Sequence, residues 1–214
     1  MPEIVAIIPC YNAGARVRPV AEAVLPRVPD VVVVNDGCTD ASIASLSGLP
    51  LRLVALPQNR GKGHALLAGM AAALEDAAVR WLVLLDADGQ HDPAEIPGLL
   101  AAAQAQNADL LIGSRVFDGQ AVPWRSRFGN TVTVSVTALL LRRRLPDTQC
   151  GFRVLSRRYA EAVLRDVAGG RYETEMEIVV KAIREGFTVG SSPIRTLYEA
   201  GNASSHFHKL RDSF

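Results

Sequence analysis

Five short apolar runs, at residues 4–8, 31–34, 51–56, 81–85 and 110–112, alternate with alanine-rich stretches of helical period. An apolar run without polar alternation needs both faces of its strand covered, and an intervening helix returns the chain to start the next strand in the same direction. The pattern therefore predicts an α/β fold: a Rossmann-like, mostly parallel sheet with helices on both faces. Helices are expected at 15–25, 63–79, 93–106, 157–167 and 173–185, and the alanines of 63–79 should let that helix lie close on the sheet. From 116 to 124 the periodicity lapses into a loop containing Gly119 and Pro123. With no repeat or low-complexity tract, the 214 residues suit one domain.

Consecutive parallel strands put their C-terminal ends on one rim, so the turns that follow them can line a single crevice. Here those turns are PCYNAG, NDGCTD, QNRGKG and DADGQHDP. A nucleotide suits them: Asp36 offers acceptors to a base, Tyr11 a ring to stack on it, and the amides near Gly61 and Gly63 a close approach to ribose or phosphate. No GxxxxGK[ST] or GxGxxG is present, which disfavours an NTPase or a dinucleotide dehydrogenase.

The fourth turn is the most specific. WLVLLDADGQHDP ends a buried-strand pattern in Asp86 and Asp88, which share one side of an extended strand and offer hard oxygen ligands to a divalent cation. Gln90 continues that side if the chain stays extended. The competing account of any Asp-x-Asp is a turn built on Asx hydrogen bonds.

A formal charge of +1 argues against a broad nucleic-acid surface. Cys10, Cys38 and Cys150 lack metal-ligand or redox spacing, and with no signal-like N-terminus the expectation is a reduced, cytoplasmic setting. The most apolar later stretch, 132–141, is about half the length a bilayer crossing needs. Overlapping its end, LLLRRR (139–144) sets an apolar patch beside three arginines, either a peripheral contact with anionic lipid or a core-packed helix with a solvated basic end.

Taken in order, IIPCYN, VVVNDGCTD, NRGKGHA, DADGQHDP, GSR, SRFGN, DTQCGFR and ETEME resemble the inverting glycosyltransferases of family 2, of GT-A fold, and especially the dolichyl-phosphate mannose synthase branch with its polyprenyl-phosphate relatives. The chain departs from that pattern at Asn35, where the family more often has a second acid. The resemblance implies a nucleotide-sugar-binding half (1–115) and an acceptor-binding half (116–214). It assigns Pro9, Tyr11, Asn12, Asp36, Gly37, Lys62 and Asp86 to the nucleotide, and Asp86, Asp88 and Gln90 to Mg²⁺ or Mn²⁺. Asp88, Arg115, Arg127 and Glu175 are the implied catalytic residues, the two arginines holding phosphates, and Gln149, Arg153 and His206 the implied acceptor residues.

Each assignment has a plainer counterpart. Arg115 and Arg127 can be rim ion pairs, Arg153 can pair with Asp147, Glu175 can serve its helix dipole, and His206 can be a solvated loop histidine. The implied activity is metal-dependent transfer of a hexose, with inversion, from a UDP- or GDP-sugar to a polyprenyl phosphate at the cytoplasmic membrane face. A soluble hydroxyl acceptor, or nucleotide-sugar binding without turnover, are the alternatives.

Overall fold

The protein is described by a computed structural model, which covers residues 3–115, 150–171 and 173–195. Seven strands form one sheet: β1 (Ile4–Cys10), β2 (Asp30–Asp36), β3 (Arg52–Leu56), β4 (Trp81–Leu84), β5 (Leu110–Arg115), β6 (Arg153–Ser156) and β7 (Val189–Ile194). Their order is β3-β2-β1-β4-β6-β5-β7, with β6 antiparallel to both its neighbours and the remaining pairings parallel. The chain moves outward from β1 through β2 to β3, then returns to lay β4 on the other side of β1. That reversal leaves a crevice beyond the strand ends, where sheets of this class bind ligands.

The strand cores explain the apolar runs. Val5–Ile8 and Val31–Val34 have no exposed residue, so consecutive side chains are buried whichever face they point to. Strand β3 alternates instead and leaves Leu53 exposed, as befits an edge. The other edge, β7, carries Pro193, a residue central strands exclude.

Helices α1 (Val17–Val24), α2 (Ser42–Ser45), α3 (Lys62–Leu74), α4 (Ile96–Ala105), α5 (Arg157–Asp166) and α6 (Glu173–Arg184) complete the described fold. Helix α3 lies so close over β1 and β2 that a Cβ on Gly69 would stand 2.4 Å from a methyl of Ile7. It ends at Leu74, short of the expected residue 79, because Arg157 donates to the carbonyls of Leu74, Asp76 and Val79 and so satisfies the helix end from outside. Strands β6 and β7 and the single turn of α2 carry no long apolar run and were not expected from the pattern.

Candidate active site

Strands β1, β2 and β4 end on one rim, and reversed β6 begins there, with Leu84 of β4 paired to Arg153 of β6. The rim therefore draws on both halves of the chain. No helix among the described residues is long and apolar enough to cross a membrane.

At the β2 end, Asp36 is almost wholly buried and accepts from the amides of Arg60 (2.7 Å) and Gly61 (2.9 Å) and from Asn59 Nδ2 (3.0 Å). Its carboxylate thus fastens the turn that delivers Lys62. The base-binding role expected of Asp36 shares that carboxylate with three donors of its own chain. Gly37 (φ +70°) allows the turn to close, since a Cβ there would meet the Asn59 amide at 2.4 Å. Tyr11 stands 47% exposed on the rim, with its ring open to stacking, while Pro9 lies half-buried within β1. Asn12, at φ +47°, accepts from Thr39 N through Oδ1 (2.8 Å), so the first two turns are tied together.

Lys62 opens α3 and reaches across the rim. Its Nζ lies 2.7 Å from Asp86 Oδ1 and 3.0 Å from Glu175 Oε2. Glu175 is buried in the first turn of α6. Burial opposes the charge on Lys62, yet the two carboxylates raise its ammonium above the ordinary lysine range. Burial likewise opposes the charge on Asp86, but Lys62 and His91 outweigh it and hold the carboxyl well below the usual carboxylate range.

Arg153 is 1% exposed and donates to the carbonyls of Cys150 (2.9 Å) and Glu175 (2.7 Å), with its guanidinium 4.0 Å from Glu175 Oε1. The residue expected at the acceptor is thus built into the floor beneath Glu175. Gly151 packs against Asp86, whose Oδ2 would lie only 2.6 Å from an added Cβ.

The two acids of DADGQHDP do not sit on a continuing strand. Strand β4 stops at Leu84, Gly89 takes φ +80°, and Gln90 N donates to Asp88 Oδ1 at 2.9 Å in an Asx turn. The extended alternation meant to bring Gln90 onto the metal side is therefore absent. Asp88 still neighbours Asp86 electrostatically: burial and that like charge push its carboxyl up. Two acids forced together in this way suit a divalent cation, which relieves their repulsion and accepts oxygen ligands from one or two carboxylates plus substrate phosphates and water. No group of three His, Cys, Asp or Glu side chains is gathered for a metal among the described residues.

Arg115 ends β5 on the same rim and is half-buried. Arg127, Gln149, His206 and the basic stretch 142–144 lie outside the described residues. Sequence reasoning gave no role to His91, which is buried with Nε2 3.7 Å from Asp86 Oδ2 and its ring 5.2 Å from that of Phe152. Its place in DADGQHDP was the available signal.

Residues 5–164 match Glycosyl transferase family 2, and the chain belongs to that family. It is a glycosyltransferase of GT-A fold. It is similar to the polyprenol monophosphomannose synthase of Mycolicibacterium smegmatis, at 32% identity over 88% of this chain and 75% of that protein. Similarity to the UDP-N-acetylglucosamine–dolichyl-phosphate N-acetylglucosaminyltransferase of Methanococcus voltae is 26% over 91% of this chain and 86% of the relative. Among solved structures, glucosyl-3-phosphoglycerate synthase of Mycobacterium tuberculosis, in complex with Mn²⁺, UDP and glucosyl-3-phosphoglycerate, superposes with a TM-score of 0.73 at 18% identity, covering 92% of this chain and 72% of that one.

Proposed function

We propose that the protein transfers a hexose, with inversion, from a UDP- or GDP-sugar to a polyprenyl phosphate at a membrane surface. The donor's diphosphate lies over Asp86 and Asp88, Tyr11 stacks on the base, and Arg115 and Arg127 neutralise phosphate charge. Asp86 and Asp88 would hold Mg²⁺ or Mn²⁺, which supplies Lewis-acid stabilisation of the leaving nucleoside diphosphate. The named relatives in which polyprenyl or dolichyl phosphate appears support this acceptor class.

The observation that carries the choice of a phosphate over a hydroxyl acceptor is the state of Glu175. A hydroxyl must lose its proton as it attacks, which calls for a positioned base. Glu175, which shares Lys62 with Asp86, is buried, with one oxygen on Lys62 and the other facing Arg153. Those neighbours suit an acid that positions cations. A phosphate monoester needs no base, because its second pKa near 6 leaves it a nucleophilic oxyanion at neutral pH.

The test compares single-turnover rates of Glu175→Gln and Arg115→Ala at saturating donor, with polyprenyl phosphate as acceptor and folding checked by circular dichroism. Arg115→Ala should lose the more activity. A folded Glu175→Gln that is slower by about 10² to 10⁴, the contribution of a lost general base, beside a mildly affected Arg115→Ala, would favour a hydroxyl acceptor.

A further inference from the structure

Two of the three cysteines, 28 positions apart in sequence and so outside any local motif, meet at the mouth of the crevice. Cys10 ends β1 and is 1% exposed, Cys38 follows β2 and is half-buried, and their sulfurs are 3.8 Å apart. The Cys38 thiol donates to the Cys10 carbonyl (3.2 Å), and its sulfur accepts from Asn12 N at 3.4 Å. Tyr11, exposed on that rim, lies in sequence between Cys10 and Asn12, both of which contact the Cys38 sulfur.

We propose that Cys10 and Cys38 form an oxidisable dithiol, a modification site at which a hydroperoxide closes a disulfide across the ends of β1 and β2 and thereby weakens nucleotide binding. Chemistry assigns the order of attack. Cys38 is the reachable thiol, while burial, with Cys38 beside it, pushes the Cys10 thiol well above its ordinary range and keeps it protonated and inert on its own. The Cys38 sulfur attacks the peroxide, giving a sulfenic acid and, from H₂O₂, one water. The Cys10 sulfur then displaces the sulfenic hydroxyl, which leaves as a second water with the Cys10 proton. Two thiols are oxidised to one disulfide as one peroxide is reduced to two waters.

The structural consequence follows from the distances. A disulfide needs its sulfurs about 2.0 Å apart, so the 3.8 Å gap must close by movement of one or both turns. Closure removes the thiol proton donated to the Cys10 carbonyl and draws the Cys38 sulfur from the Asn12 amide. Asn12 already holds a left-handed backbone and ties itself to Thr39, so the shift is transmitted to Tyr11 beside it. The effect on nucleotide binding rests on the donor-site proposal above; the crosslink itself does not.

The experiment treats the reduced protein with hydrogen peroxide, blocks remaining thiols, and maps the peptides by mass spectrometry. The expected product is a Cys10–Cys38 linked peptide, lost on dithiothreitol, absent from Cys38→Ser and retained by Cys150→Ser. Oxidation of Cys38 to sulfinic acid without the link, or an intermolecular Cys38 disulfide, would overturn the proposal. Calorimetric titration with UDP and GDP then compares both redox states. The oxidised wild type should bind the preferred nucleotide about tenfold more weakly, with Cys38→Ser unaffected by peroxide. Equal affinity in crosslinked and reduced protein would refute the coupling. If the reduced protein bound neither nucleotide, the donor-site proposal and the coupling would fall together, with the crosslink still decided by mass alone.

Discussion

Lys62 makes two ion pairs, one with Asp86 and one with Glu175 from the later part of the chain, and replacing it by methionine removes both while keeping an unbranched side chain in α3. At an effective dielectric of 20, unit charges at the observed 2.7 and 3.0 Å attract by about 6 kcal/mol each. Several kcal/mol of desolvation per ion offset that gain, so the pairs stabilise far less in net terms. Removing the shared cation is a different matter. It leaves half-buried Asp86 with only His91 and buried Glu175 with only Arg153 as charged neighbours, and breaking a buried pair costs about 3 to 5 kcal/mol. With the Lys62 side chain 18% exposed, water relieves part of the penalty and the lower end applies. For a chain of this length, about 3 kcal/mol lowers Tm by about 6 to 12 °C.

Differential scanning calorimetry of wild type, Lys62→Met, Glu175→Gln and the double variant measures the effect. The double variant should be milder than the sum of the singles, because Glu175→Gln removes one of the two stranded acids. The pH dependence follows from the direction of each shift. Lys62, raised in the folded state, contributes stability that is complete below the free-lysine pKa of about 10.4 and fades as pH rises through its folded value. Asp86, lowered, contributes stability that is present above about 3.9 and fades as pH falls through its folded value. The gap between wild type and Lys62→Met should therefore be flat from about pH 5 to 9 and narrow outside that window. A variant melting with wild type at pH 7, or strictly additive singles, would refute the clamp.

Gly151→Ala places a Cβ 2.6 Å from Asp86 Oδ2 while Lys62 holds the other oxygen; it should cost about 1 to 3 kcal/mol and weaken stabilisation by Mn²⁺, read as the metal-dependent shift in Tm. An unchanged metal response would show that Asp86 does not serve the cation. Asp109 accepts from Arg158, Ser156 and the Thr188 amide; burial works against its charge, but those donors outweigh it and lower the carboxyl. Asp109→Asn should therefore cost about 1.5 to 3 kcal/mol at pH 7, and the difference should shrink as acid protonates the wild-type carboxylate. A gap that persists undiminished in acid urea titrations would assign the loss to packing instead.

Much of the sheet was legible because its strands are buried on both faces. Runs such as VVVV at 31–34 carry their environment in their composition. Strand β6 offers only Val154 and Leu155 as an apolar signal, and β7 is interrupted by Gly190 and Pro193, so neither announced itself. The acids Asp86 and Asp88 were visible, but the Asx turn that replaces the extended strand was not, since Gly89 permits either course until packing decides. Lys62 and Glu175 illustrate the remaining limit. Each belongs to a motif recognisable alone, yet their contact is created by helix placement and leaves no local trace.

That contact also explains why one acid of the pair stands apart from the other. Around Asp86 the rim is balanced: Lys62 and Arg153 face Asp86 and Glu175, two cations against two anions drawn from both halves of the chain. A balanced cluster attracts no further anion strongly, so a diphosphate brought against it must carry its own compensating charge or find it nearby. Asp88 lies outside the balance, its carboxyl pushed up by burial and by Asp86 against the opposing pull of the Gln90 amide, His91 and Lys62. An added cation would relieve that repulsion and favour its charged form. A divalent ion arriving with the diphosphate would stabilise Asp88 in its charged form, with Asp86 already held in place by Lys62 and Gly151. Donor and metal binding are then mutually dependent: nucleotide affinity should fall when the metal is chelated, and Asp88→Asn should remove most of that dependence while Tm without metal stays at or above the wild-type value. Nucleotide binding to wild type that is indifferent to chelator would refute this division of labour between the two acids.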